Sequence, residues 1–318
     1  MRADDFYVQG TDTLNVTVTG RTGGTFESLD TAGTATTTVT DDADQTVVTV
    51  TPSSTSVVEG STLTYTVAVN HVVAGSPFAV TLSNGQTITI PVGQSSVTGP
   101  AIAVRADDVQ TQGAIDTVVS ITGTAGGTFE ALDTTSTATT TVTDDTDPTT
   151  LILSASAASV TEGGSIVYTA TLSNAVAGSP VVLTLSNGQT ITIPVGQTIG
   201  TSTPFLVRAD DAYVQGTDTL NVSVTGRSGG NFESFDSTGS ATTSVVDDVD
   251  TTTVSLTGSA SVAEGATAAY TVSLTSPAQS AVTVTLSYSG TAANGADFTG
   301  VATVTIPAGD SSASFNIA

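Results

Sequence analysis

Apolar and polar residues alternate one by one over short stretches of this chain, as at Leu63, Tyr65, Val67 and Val69, and no segment keeps a helical period. Threonine, valine, serine and alanine dominate these stretches, with glycine, asparagine and proline between them, which is the pattern of short strands and turns. The alternation predicts seven strands, at about 46–59, 62–69, 78–83, 86–91, 97–105, 116–122 and 134–143. Asn84-Gly85, between the third and fourth, signals a tight hairpin, because both turn positions need positive φ. Seven short strands with glycine-rich turns predict an all-β sandwich of immunoglobulin-like size.

The pattern recurs. Residues 82–94 return letter for letter at 185–197, and residues 2–28 return with few changes at 208–234. Two complete sandwiches are expected, 47–149 and 150–252, each large enough to bury a core. Residues 1–46 match the C-terminal part of a truncated repeat, and 253–318 the N-terminal part of another. The expectation is a slice of a longer array of tandem sandwiches forming an elongated rod. No apolar run is long enough to span a membrane, so no membrane insertion is expected. Without cysteine, no disulfide holds the modules.

Charge sharpens this picture. The net charge is −24 and lysine is absent, which argues against nucleic acid or an anionic membrane as partner. The acids sit at fixed repeat positions rather than spread as a halophile's solvated surface, and only 11% of residues are charged. An acid before glycine recurs at Glu59, Glu162 and Glu264. An Ala-Asp-Asp step recurs at Asp4-Asp5, Asp107-Asp108 and Asp210-Asp211. An Asp-Asp-x-Asp cluster recurs as Asp41, Asp42 and Asp44; Asp144, Asp145 and Asp147; and Asp247, Asp248 and Asp250.

If successive strands alternate in direction, Glu59, Asp107-Asp108 and Asp144 to Asp147 follow strands that point the same way. The three motifs then converge on one pole of the sandwich. Carboxylates so crowded repel by roughly 3–4 kcal/mol per close pair at an effective dielectric near 20. An oxygen-only cluster suits calcium, so Ca2+ is the expected partner of these acids. Arg105 and Arg208, just before Ala-Asp-Asp, read as local charge balance. The opposite pole carries a Phe-Glu-x-x-Asp loop at 129–133, with counterparts at 26–30 and 232–236. Its acids are placed to face the charged pole of the preceding repeat.

Catalysis has little support. The single histidine, His71, is matched by Asn174 in the next repeat, so it belongs to no repeated constellation. No nucleophile elbow, phosphate loop or Cys/His metal set is present, and no enzyme is expected. Threonine runs such as Thr36 to Thr38 and Thr139 to Thr141 fit half-exposed strands better than a flat ice-binding array.

These residues resemble the Calx-β domain and its relatives in the repeat regions of giant bacterial surface adhesins. In that family an x-Glu-Gly, an Asp-Asp step and a terminal Asp-Asp-x-Asp hold calcium at one pole. Residues 253–318 are the most similar: Ser261 to Gly265 opens them, Gly290 to Phe298 follows with Asp297, and Ile306-Pro307-Ala308-Gly309-Asp310 is similar to the family's Pro-x-Gly turn. The resemblance adds Asp297 to the expected metal ligands. Repeats 47–149 and 150–252 carry the Asn-Gly hairpin instead and lack this aspartate. They look more like the extender modules of type I-secreted, RTX-class adhesins, although the RTX nonapeptide and the EF-hand loop are absent.

The resemblance implies a calcium-rigidified spacer at the bacterial cell surface, secreted and extracellular, that projects a distal binding domain in adhesion and biofilm formation. Its partners would be calcium ions and the neighbouring repeats of the same chain. The alternative is that the repeats themselves bind a glycan or a protein at a surface. Aromatic residues are only 5% and tryptophan is absent, which weighs against a carbohydrate-stacking face.

Overall fold

A computed structural model describes residues 2–318, and no helix occurs among them. The chain divides into two compact units, Met1–Pro148 and Thr149–Ala318.

In the first unit, β1 (Asp12–Thr17) and β2 (Thr34–Val39) pair as an antiparallel hairpin. The strands that follow are β3 (Gln45–Pro52), β4 (Ser56–Val58), β5 (Thr62–Leu63), β6 (Tyr65–Val69), β7 (Phe78–Leu82), β8 (Thr87–Ile90) and β9 (Ser96–Thr98). Then come β10 (Ile102–Ala103), β11 (Ile115–Ala125), β12 (Ala131–Asp133) and β13 (Thr137–Thr143). One sheet has the order β4-β13-β11-β7-β8, the facing sheet β12-β3-β6-β9, and β5 pairs with β10. The alternation explains the packing: Leu63, Tyr65, Val67, Val69, Phe78, Val80, Leu82, Ile88 and Ile90 are all buried between the sheets.

The second unit repeats this plan. Its strands are β14 (Pro148–Ala155), β15 (Ser159–Thr161), β16 (Ser165–Ile166), β17 (Tyr168–Leu172), β18 (Val181–Leu185), β19 (Thr190–Ile193), β20 (Ile199–Thr201) and β21 (Phe205–Leu206). They continue with β22 (Asp218–Ser228), β23 (Ser234–Asp236) and β24 (Ser240–Val246). The sheets are β15-β24-β22-β18-β19 and β20-β17-β14-β23, with β16 on β21. Beyond them β25 (Val254–Gly258), β26 (Ala268–Leu274) and β29 (Ser312–Ile317) form one sheet, and β27 (Val282–Thr285) with β28 (Thr303–Ile306) another. Val272, Ala278, Val304 and Ile306 make a smaller core there. The protein is thus built of tandem all-β sandwiches.

Three expected strands prove to be divided. The strand expected over 46–59 leaves one sheet at Pro52 and re-enters the other at Ser56, where β4 runs parallel to β13. The buried Thr140 hydroxyl donates to the Ser54 carbonyl at 2.9 Å and holds the crossover; Thr243 does the same to Ala157 at 3.0 Å. The strand expected over 97–105 breaks at Gly99-Pro100, since proline offers no ladder N–H, and resumes as β10. The second strand breaks at Thr64 into β5 and β6. The loop before β13 also holds a strand the alternation does not reveal, β12, parallel to β3.

Candidate metal centre

The backbone gathers the three acidic motifs before any side chain is considered. Glu59 donates its N–H to the carbonyl of Thr143 at the end of β13 (2.9 Å). Gly60 donates to the carbonyl of Arg105, just ahead of Ala-Asp-Asp (2.8 Å). Glu162 and Gly163 repeat both bonds with Val246 (2.9 Å) and Arg208 (2.8 Å). The sheet-switching β4 therefore delivers a glutamate to the point where the other two motifs end.

Glu59 is only 3% exposed. Its Oε2 accepts from Arg105 Nε at 2.7 Å, while Oε1 is buried without a hydrogen-bond partner. Carboxylate oxygens of Glu59, Asp107 and Asp145 lie within 4.8 Å of one another. Glu162, Asp210 and Asp248 form the same triad in the second unit; Glu162 is 4% exposed, with Oε2 on Arg208 Nε at 2.8 Å and Oε1 again unpartnered. Asp4, Asp42 and Asp44 form a third. There the backbone N–H of Asp44 donates to Glu130 Oε2 at 2.7 Å, from the loop ahead of β12.

The remaining motif acids do different work. Asp5, Asp108 and Asp211 each accept, on Oδ1, the N–H two residues ahead: Tyr7 (2.9 Å), Gln110 (2.7 Å) and Tyr213 (2.8 Å). On Oδ2 they accept from the side-chain amides of Gln9, Gln112 and Gln215. They frame a loop. Asp41 and Asp144 close it by accepting the N–H of Gln9 and Gln112, both at 2.7 Å, and they also take Arg2 (2.6 Å) and Arg105 (2.8 Å). Asp247 accepts the Gln215 N–H at 2.8 Å and stands 3.6 Å from Arg208 Nη2. Arg208 turns instead to Asp218 at 2.8 Å; Ile115 occupies the matching position of the preceding repeat, and there Arg105 grips Asp144 tightly.

Crowding leaves an electrostatic mark. The Asp107 carboxyl is raised above the usual carboxylate range, chiefly by Asp145, then by burial, Asp147 and Asp108. Asp4 is raised chiefly by Asp42 and then by Asp44. Asp250 is raised by loss of solvent and then by Asp210 and Asp248. The Glu162 carboxyl is raised as well, first by burial and then by Asp247, against the pull of Arg208. Asp147 and Asp250 thus belong to the poles through their charge.

Glu264 and Asp297 lie elsewhere. They line one cavity of about 530 Å³ with Tyr270, Tyr288 and Phe298, and among the described residues neither joins a carboxylate triad. Asp297 Oδ2 accepts the Ala293 N–H at 2.7 Å, which braces its own turn. At the first of these poles Glu130 is a carboxylate that the motif positions do not name; its place in the loop opposite the charged pole was the signal for it.

Hard oxygen donors, two of them buried and unpartnered, make a donor set that fits a calcium ion.

Residues 44–146, 147–249 and 250–318 each match the LapA domain. No curated protein matches the chain. Among solved structures, an Escherichia coli adhesin, FdeC, is similar at 16% identity over 85% of this chain and 88% of that one (TM-score 0.22). The tetra-tandem repeat in the extending region of a large adhesion protein shares 18% identity over 85% of this chain and 65% of that one (TM-score 0.23). The CBD12 fragment of CALX1.2 shares 11% identity over 57% of this chain and 81% of that one (TM-score 0.26).

Proposed function

Because the chain belongs to the LapA-domain family, as three tandem copies of a large-adhesin repeat, we propose that it is a calcium-stiffened spacer of a bacterial surface adhesin. The domains of this spacer are the sandwiches 47–149 and 150–252, flanked by parts of repeats at 1–46 and 253–318. Its role is to hold a distal binding domain away from the cell, and it carries out no chemistry of its own.

One observation carries the proposal. Glu59 and Glu162 each bury a carboxylate oxygen that no hydrogen bond satisfies, beside two further carboxylates. Leaving a buried acceptor unpaired costs about 1–3 kcal/mol, and more for a charged group. Arg105 and Arg208 neutralise one oxygen of each glutamate; a divalent cation would satisfy the other. Glu59, Asp107 and Asp145 would hold one ion, Glu162, Asp210 and Asp248 a second, and Asp4, Asp42 and Asp44 a third, with Asp147 and Asp250 adding charge at their poles. The ion supplies positive charge where strand ends from both sheets meet, so binding it fixes those ends together. Binding to the folded state alone adds about 2.7 kcal/mol of stability at a hundredfold excess over the dissociation constant.

Small-angle X-ray scattering on the 318-residue chain in millimolar calcium and in EDTA tests the role. A longer maximum dimension in calcium, with a flexible profile in EDTA, is expected. Identical profiles, together with no heat of calcium binding, would leave the acids as loop and surface residues and favour a binding module.

A further inference from the structure

The second aspartate of the first and third Ala-Asp-Asp steps is spent on shaping a loop, and that loop carries a tyrosine, Tyr7 or Tyr213, whose N–H the aspartate accepts. In the first unit the Tyr7 hydroxyl donates to the carbonyl of Val72 at 2.6 Å. Its ring stacks on Phe129 at 5.9 Å, and Phe129 meets the buried Phe78 edge-on at 5.3 Å. The backbones pair as well: Val8 donates to Thr128 (2.6 Å) and Glu130 to Phe6 (3.2 Å). Beside them Phe6 lies flat on His71, centroids 3.5 Å apart, and His71 Nδ1 is 3.1 Å from the buried Thr46 hydroxyl.

In the second unit Tyr213 makes the matching contact, donating to the carbonyl of Pro277 at 2.8 Å. The two acceptors are equivalent. Val73, which follows Val72, donates to Gln94 and accepts from Gly93; Ala278, which follows Pro277, donates to Asp310 and accepts from Gly309. The tyrosine grips a backbone carbonyl, so the contact survives the change from valine to proline at the acceptor.

We infer that this tyrosine, two places after the Ala-Asp-Asp step, is a metal-independent latch between one repeat and the next. The dipeptide divides its labour. The first aspartate faces the carboxylate pole; the second aims the latch. A joint headed by Tyr7 or Tyr213 keeps a grip when calcium is withdrawn, because the phenol reaches the carbonyl without any ion. The inference rests on the spacer role proposed above, but it concerns the state without metal.

The absence of cysteine makes the test clean. In the full chain, Thr192→Cys and Thr285→Cys, both exposed strand positions either side of the Tyr213 joint, carry nitroxide labels for pulsed dipolar distance measurement. In EDTA the parent should give a narrow distribution. Tyr213→Gln and Tyr213→Ala should at least double its width, and Tyr213→Phe, which keeps the ring and loses the hydrogen bond, should fall between. Tyr213 is half-buried at a loop, and unchanged circular dichroism would verify that each variant folds. A parent distribution already broad in EDTA, or variants as narrow as the parent, would overturn the latch. A calcium arm separates the two proposals: narrowing of every variant in calcium bears on the spacer alone, and its failure leaves the EDTA comparison intact.

Discussion

Gly60 approaches Asp107 so closely that a Cβ built on the glycine would stand 2.8 Å from the aspartate's Cβ. Gly163 and Asp210 repeat the relationship at the same distance. Both glycines also hold positive φ, 70° and 71°. The glycine after the acid is therefore the reason the first aspartate of Ala-Asp-Asp can come alongside the glutamate.

Gly60→Ala should cost stability twice. The left-handed backbone alone is unfavourable by about 1–2 kcal/mol for an L-residue, and the added methyl must push Asp107 away from Glu59. Weaker calcium binding at that pole is expected together with a lower unfolding midpoint. Gly85→Ala is the control: its φ is 86° but its Cβ would meet nothing within 4 Å, so only the backbone penalty should appear. Equal calcium affinities for the two variants in titration calorimetry would show that the close approach does not matter.

Arg105→Met tests the internal counter-ion. Arg105 spans Glu59 at 2.7 Å and Asp144 at 2.8 Å, and its loss leaves the Glu59 carboxylate buried with no cation in the chain. Removing one partner of a buried pair costs about 3 kcal/mol or more. In EDTA the affected sandwich should unfold at markedly lower urea, while in calcium much of the loss should be recovered. A loss of the same size in both conditions would separate the arginine from the metal.

The fold and the pole were unequally legible in the sequence. Alternation such as Leu63, Tyr65, Val67 and Val69 directly gives strand and face, because burial on a pleated sheet has a period of two. The gathering of the acids followed from strand direction, which the repeated motifs mark. What alternation cannot carry is a change of sheet without a change of pattern: residues on either side of Ser54 alternate equally well, and the crossover depends on a bond from Thr140, 86 residues away. Nor does a motif say which of its members faces outward. Asp107 and Asp108 are adjacent and chemically identical, yet one faces the carboxylate cluster and the other binds Gln110 and Gln112, a choice made by backbone direction within the loop.

Tyr168 offers a stabilising substitution. Its side chain is buried in the core, 1% exposed, and its hydroxyl meets no hydrogen-bond partner among the described residues. Burial also raises the phenol's pKa, as expected of a hydroxyl held away from solvent. Tyr168→Phe keeps the ring and deletes the unsatisfied group, so stability should hold or rise by about 1 kcal/mol. Tyr65, fully buried with an unpartnered hydroxyl, should behave alike. A loss beyond 1 kcal/mol in chemical denaturation of either variant would mean that the hydroxyl is hydrogen-bonded in solution.

Acid should stabilise the metal-free protein before it destabilises it. Asp4, Asp107 and Asp250 are raised above the ordinary aspartate range, so the folded state holds their protons more tightly than the unfolded chain does. Their repulsion opposes folding at neutral pH and is relieved as the pH falls through the raised values. Asp133 and Asp236 have the opposite sign. Hydrogen bonds from Thr135 and Thr238 lower them, so their contribution is present above the ordinary value, about 3.9, and disappears as the pH drops below it. In EDTA the melting temperature should therefore rise on acidification from pH 7, pass a maximum above the ordinary aspartate range, and then fall. In calcium the first limb should reverse, because protons compete with the ion for the same oxygens. Scanning calorimetry across this range in both buffers decides the matter: parallel profiles with and without calcium would mean that the crowded carboxylates do not hold the ion.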